Sequence, residues 1–215
     1  MKTNVTLKLD ADLLREARVV AAEEGRSISA LLTDRLEAII RERKAFDKAR
    51  RRALARLREG LDLQWTPPSR ATNCMSDKYF VDTNILMQAH DKAAGAKHER
   101  AKALMEELWR DRTGVVSTQV LQELAVNLRK KVCQPLDVKA TRDLVADYLT
   151  WQVIVNGDEA ILDALEIEKR YQISFWDALI VQAAQSSGAE VLYSEDLADG
   201  QHYGSIHVLN PFVDR

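Results

Sequence analysis

Acidic side chains recur where the apolar runs of this chain stop. Tyr79-Phe80-Val81 ends in Asp82-Thr83-Asn84, Val115-Val116-Ser117 leads through Gln119-Val120-Leu121-Gln122 to Glu123, Ser174-Phe175-Trp176 leads to Asp177, and Tyr193-Ser194 runs into Glu195-Asp196. A carboxylate at the carboxyl end of a strand lies where open α/β sheets leave their functional crevice. Most of these acids also have a purely local reading. Asp at a strand-to-helix junction is an ordinary N-cap, so Asp82 can simply start the helical pattern that follows it. Ser174 and Asp177 fit a capping box, and Asp196 fits a turn. Glu123 has no such explanation: the residues three on from the capping candidates Ser117 and Thr118 are Val120 and Leu121, so it is not the acid of a box.

Other chemistries lack their residues. With no Gly-rich phosphate loop and no Ser or Cys elbow, nucleotide-cofactor and acyl-transfer reactions have nothing to stand on. His90, His98, His202 and His207 form no HxxxH pair, and Cys74 and Cys133 form no CxxC, which argues against zinc and against a disulfide framework. A reducing compartment follows from that cysteine usage. The amino terminus lacks a signal pattern and no apolar run approaches the roughly 18 residues needed to span a bilayer, so a cytoplasmic protein with no membrane partner is expected.

The elements that must position the acids are legible over residues 75–215. Strand-like runs at Tyr79–Asp82, Val115–Ser117, Gln152–Val155, Val191–Ser194 and Ile206–Leu209 alternate with helical patterns at Ala96–Arg110, Val120–Lys131, Val138–Leu149, Asp158–Tyr171 and Trp176–Ser186. Such alternation predicts a central parallel sheet with helical crossovers. The first 74 residues differ in charge, with 16 Lys and Arg against 11 Asp and Glu, whereas the remainder carries 15 against 22. A basic amino-terminal part points to nucleic acid, or to attraction between the two parts.

Within that basic part, Val5, Leu7 and Leu9 alternate with Asn4, Thr6 and Lys8, the period of a half-buried strand. Asp10 or Asp12 can cap a helix through Glu24, which Gly25 closes, and a second helix opens at Ser27 or Ser29 and runs through Ile40. One strand and two helices in about 43 residues cannot bury a core alone. Asn4 to Ile40, with the turn Gly25-Arg26-Ser27-Ile28-Ser29, resembles a ribbon-helix-helix repressor of the Arc/CopG type. The resemblance implies an obligate dimer whose paired strands enter the major groove of operator DNA, with Asn4, Thr6 and Lys8 as base readers and the helix start at Ser27 and Ser29 holding a phosphate. The bland alternative is a solvated polar strand face.

Residues 44–74 read as an amphipathic helix and an extended arm. Phe46, Ala49, Ala53, Leu54, Leu57 and Leu61 lie on or near one face, and a helix with such a stripe wants a groove. Pro67 and Pro68 then favour an extended chain, on which Trp65 can anchor and Arg70 can meet carboxylates; a surface helix and linker is the simpler alternative.

Taken as an ordered set on a parallel α/β pattern, Asp82, Glu123, Asp177 and Asp196 resemble the acids of PIN-domain ribonucleases, over essentially residues 77–213. The motifs that carry the resemblance are Val81-Asp82-Thr83-Asn84, the Gln-rich approach to Glu123, Phe175-Trp176-Asp177-Ala178-Leu179-Ile180 and Ser194-Glu195-Asp196-Leu197. Within the superfamily the likeness is to VapC toxins, and the preceding ribbon-helix-helix module with its arm is similar to a VapB antitoxin. That implies three parts: residues 1–43 for dimerisation and DNA binding, 44–74 for toxin binding and 75–215 as the nuclease, joined at Cys74-Met75. It further implies an Mg2+- or Mn2+-dependent endoribonuclease acting on structured RNA such as tRNA or rRNA. Four crowded carboxylates repel unless hard divalent cations neutralise them, and such ions take oxygen ligands and acidify bound water. Asp82 and Asp177 are expected to hold the principal metal, Glu123 and Asp196 to assist directly or through water, and Asn84 to support them or contact the scissile phosphate. Glu195 and Asp199 are not separable from surface charge. The antitoxin part is expected to cover the nuclease in cis or in trans, within a homodimer or larger assembly. A different class stays open: a DNA-binding transcriptional regulator whose nuclease-like part is permanently occluded or inactive and serves for interaction.

Overall fold

A computed structural model describes residues 8–61 and 78–213. The chain divides into two compact units, residues 1–45 and 46–215.

In the first unit, helix α1 (Ala11–Glu23) is capped by Asp10, whose side chain accepts from the Asp12 N–H at 2.9 Å. Gly25, at φ +64°, makes the left-handed turn that a side chain would resist. Helix α2 (Ile28–Glu59) begins where the Ser27 hydroxyl accepts from Ala30 N–H at 3.2 Å. Among the described residues of this unit only Ala21 and Leu31 are buried, while Leu13, Val19, Val20, Leu36, Ile39 and Ile40 are exposed. Residues 8–10 form no strand; the rest of the strand expected over Asn4–Leu9, including Asn4 and Thr6, lies outside the described residues. The two helical stretches expected on either side of residue 43 are one helix of 32 residues.

The second unit carries a six-stranded sheet. Strands β1 (Tyr79–Val81), β2 (Gly114–Ser117), β3 (Gln152–Ile154), β4 (Val191–Tyr193), β5 (His202–Tyr203) and β6 (Ile206–Leu209) take the order β3-β2-β1-β4-β6-β5. All pairings are parallel except β5 with β6. The five strands expected from the sequence are present to within a residue, and β5 is additional. Helices α3 (Thr83–His90), α4 (Ala96–Asp111), α5 (Thr118–Lys130), α6 (Val138–Tyr148), α7 (Asp158–Tyr171) and α8 (Phe175–Ser187) join the strands. Side chains of β1, β2 and β4 are almost wholly buried, as continuous apolar strands between helical layers should be. Gly114 is required by contact: a Cβ there would lie 2.2 Å from the Trp151 ring.

The carboxyl half of α2 belongs to this unit's core. Phe46, Ala49, Ala53 and Leu57 are buried in the same cluster as Phe80, Trp109 and Tyr148, and the Phe46 ring lies 5.4 Å from that of Trp109. Asp147, buried on α6, receives both Arg52 and Arg56, with Arg52 Nε donating at 2.9 Å. A carboxylate removed from water in this way is stable only with its cations in place. Leu61 N–H then donates to the His90 carbonyl at 2.7 Å, which ties the end of α2 to the end of α3. The stripe that the sequence marks as groove-seeking therefore finds its groove in the same chain, against Trp109 of α4 and Tyr148 of α6.

Candidate acidic site at the strand ends

Asp82 ends β1, the third strand of six, and caps α3. Its Oδ1 accepts the Thr83 N–H at 2.6 Å and its Oδ2 accepts the Ser194 hydroxyl at 2.7 Å. Capping and membership of a site are thus not alternatives: one oxygen caps while the other turns to β4. The side chain is buried, 5% exposed. Burial pushes its pKa up to about 7, opposed by the Ser194 hydroxyl and the Thr83 N–H and reinforced by the charges of Asp196 and Glu123.

Glu123 stands on α5, half-buried. Its Oε2 accepts the Thr83 hydroxyl at 2.9 Å and its Oε1 accepts Gln119 Nε2 at 2.9 Å. This is the role that local sequence left unexplained: the acid faces across to α3. Asp196, exposed after β4, accepts Asn84 Nδ2 at 2.9 Å. Partial burial raises its pKa, Asn84 counters this, and Asp177 and Glu123 raise it further. Asp177 forms a reciprocal cap with Ser174, its N–H donating to the hydroxyl at 3.2 Å and its Oδ2 accepting from it at 2.8 Å. The four acids therefore share one electrostatic neighbourhood at the carboxyl ends of β1, β2 and β4. The charges acting on Asp82 are those of Asp196 and Glu123, whereas Asp177 acts on Asp196.

Several contributors lie within the quoted motifs but have no role assigned from the sequence. Thr83 and Ser194 orient Asp82 and Glu123, and Gln119 donates both to Glu123 and to the Trp176 carbonyl at 3.2 Å. Glu195 is not surface charge. It is buried, and Lys97 Nζ lies 2.8 Å from it while Gln88 Nε2 donates at 3.3 Å. Asp199 accepts the Asn210 N–H at 3.0 Å, a loop role. The only local signal for Thr83 and Ser194 was adjacency to an acid.

Mg2+ or Mn2+ suits these residues in donor type, because every candidate donor is a hard oxygen. The Asn84 Oδ1 atom is buried without a partner, and the burial that raises Asp82, reinforced by the charges of Asp196 and Glu123, is a cost that a bound cation relieves. The positions are not yet those of a coordination shell: among the described residues no three acidic, His or Cys side chains stand close enough to share one ion.

The expected DNA-facing residues divide. Lys8 is exposed and precedes α1, Ser27 caps α2, and Ser29 is exposed in its first turn. Trp65 and Arg70 of the expected arm lie outside the described residues. No described helix is long and apolar enough to cross a membrane.

A comparison with curated proteins gave no match. Among solved structures, the chain is similar to Mycobacterium tuberculosis VapC20, a Sarcin-Ricin loop cleaving toxin, at 24% identity and TM-score 0.44, over 54% of this chain and 88% of that one. A toxin-antitoxin complex from Klebsiella pneumoniae matches at 18% identity and TM-score 0.45, covering 63% and 98%. VapBC2 from Rickettsia felis bound to a DNA fragment from its promoter matches at 18% identity and TM-score 0.45, covering 60% and 96%. The family model described as PIN domain matches residues 79–198, more than half of the chain, and with its acids at the ends of a mostly parallel sheet the protein belongs to the PIN-domain family.

Proposed function

We propose that the protein is a divalent-metal-dependent endoribonuclease of the toxin type that carries its own antitoxin segment, and that the amino-terminal unit binds operator DNA as a dimer. The observation that carries the nuclease reading is Asp82, buried at the end of a central strand of a PIN domain and raised to about 7 beside Asp196 and Glu123. Asp82 and Asp177, assisted by Glu123 and Asp196, would hold Mg2+ or Mn2+; the chemistry supplied on binding is charge neutralisation and Lewis acidity toward a phosphodiester. Ser194 and Thr83 fix the orientation of Asp82, Thr83 and Gln119 that of Glu123, and Asn84 that of Asp196. Asn84 Oδ1 is left to meet an incoming donor.

Covering in cis is supported by the packing of Phe46–Leu61 on the chain's own domain. That segment ends beside the far end of α3, an eight-residue helix about 12 Å long, so the following residues can easily reach back to Asp82. The exposed apolar residues of the first unit support dimerisation, since a helix pair burying only Ala21 and Leu31 needs a partner. The same packing also favours a second reading, a DNA-binding regulator with a permanently occluded domain, because a helix built into a core does not leave it.

The decisive assay compares Mg2+-dependent cleavage of structured RNA by the intact chain, by a Trp65→Ala/Arg70→Ala variant and by that variant with Asp82→Asn added. The arm variant is expected to cleave, the intact chain to be at least tenfold slower, and the Asp82→Asn protein to be inactive. Cleavage surviving Asp82→Asn would sink the catalytic assignment, equal rates for intact and arm-variant chains would sink cis inhibition, and inactivity of all three would favour the regulator.

A further inference from the structure

Trp176 occupies an unusual place for the largest side chain in a protein. It lies in the first turn of α8, directly before Asp177, and is 62% exposed, while Trp109 and Trp151 are buried. Its backbone is held rigidly to the site: the Gln119 side-chain amide donates to the Trp176 carbonyl at 3.2 Å and to Glu123 Oε1 at 2.9 Å. Its indole is braced by Phe175, with ring centroids 5.6 Å apart and planes at 69°. An open indole is therefore fixed on the rim of the acidic cluster. Among the described residues, Phe175 is the one ring in contact with it.

We infer that Trp176 binds substrate at this site, as the platform on which a base of the RNA stacks beside the scissile phosphate. Every base has a π-face, so stacking on an aromatic ring tolerates sequence but requires that the base be free of its own stack. Stacking on Trp176 places the backbone of the stacked nucleotide next to Asp177. This inference rests on the nuclease reading above and adds a substrate-binding residue to it.

The test uses the full chain with Trp65→Ala/Arg70→Ala as the parent, and compares Trp176→Leu and Trp176→Phe in that background. Substrates are one RNA sequence presented as a single strand, as a hairpin loop and as a perfect duplex. The expected results are a rise in KM of tenfold or more for Trp176→Leu, falling on KM rather than kcat, recovery to within about threefold of the parent by Trp176→Phe, and a strong preference for the single strand and loop. Adding RNA should also quench tryptophan emission of the parent more than that of Trp176→Phe. Cleavage with equal KM for Leu and parent, or of duplex as well as loop, overturns the stacking role while leaving the nuclease reading intact. A parent that neither cleaves RNA nor shows RNA-dependent quenching overturns both. Light scattering that shows Trp176→Leu dissociating an oligomer of the parent assigns the indole to a contact between copies and overturns the stacking role.

Discussion

Replacing Asp82 with Asn should make the metal-free protein more stable, by an amount that depends on pH. The carboxyl has an ordinary value of 3.8 and is raised to about 7 in the fold. Between those values the folded chain keeps a proton that the unfolded chain has lost. Stability is therefore complete below about pH 4, falls as pH rises to about 7, and is level above that. About three units at ~1.36 kcal/mol each give a full cost near 4 kcal/mol, of which roughly 1.6 kcal/mol is already incurred at pH 5. Asn cannot accept on both sides as the carboxylate does from Ser194 and Thr83, and loses about 1 kcal/mol for the weaker bond. Asp82→Asn should thus be near neutral at pH 5 and about 3 kcal/mol more stable at pH 8, a rise in Tm on the order of 6–10 °C for a domain of this size. Thermal unfolding by circular dichroism in EDTA at the two pH values measures it. Adding Mg2+ at pH 8 should close the gap by stabilising the parent and not the variant, by about 2.7 kcal/mol at a hundredfold excess over Kd. A stability difference that is the same at pH 5 and pH 8 would refute the account of Asp82 as a carboxylate held at an electrostatic cost.

Two further outcomes follow from packing. Leu57→Ala, at a fully buried position on α2, should cost about 2–5 kcal/mol in unfolding of the α/β unit, and a chain cut at residue 75 should be less stable still and bind hydrophobic dyes, because Phe46, Ala49, Ala53 and Leu57 leave the core together; a cut chain as stable as the full one would show that α2 is dispensable. Lys97→Met should destabilise the protein by roughly 3–5 kcal/mol by stranding the buried Glu195 carboxylate, and Glu195→Gln added to it should recover much of the loss; no recovery in the double variant would mean that Lys97 acts by packing alone.

The periodicity of the chain was enough to read five of the six strands, five of the α/β unit's six helices to within about two residues, and the four acids that end or follow them. Those features are local: a continuous apolar run makes a buried strand, and a polar residue at its end starts a helix wherever the chain goes next. β5 escaped because two residues become a strand only through the antiparallel partner they find. Periodicity also showed that the stripe from Phe46 to Leu61 needed a surface, but not that the surface was Trp109 and Tyr148 of the same chain. Only the tertiary structure brought Ser194 to Asp82 across 112 positions and Thr83 to Glu123 across 40. Such pairs carry no mark in the sequence, because what sets them is the order β3-β2-β1-β4 in the sheet. That order also decided the chemistry of Asp82. An aspartate after Val81 is a helix cap in any fold, and its raised pKa comes from the burial and neighbouring charges that packing alone supplies.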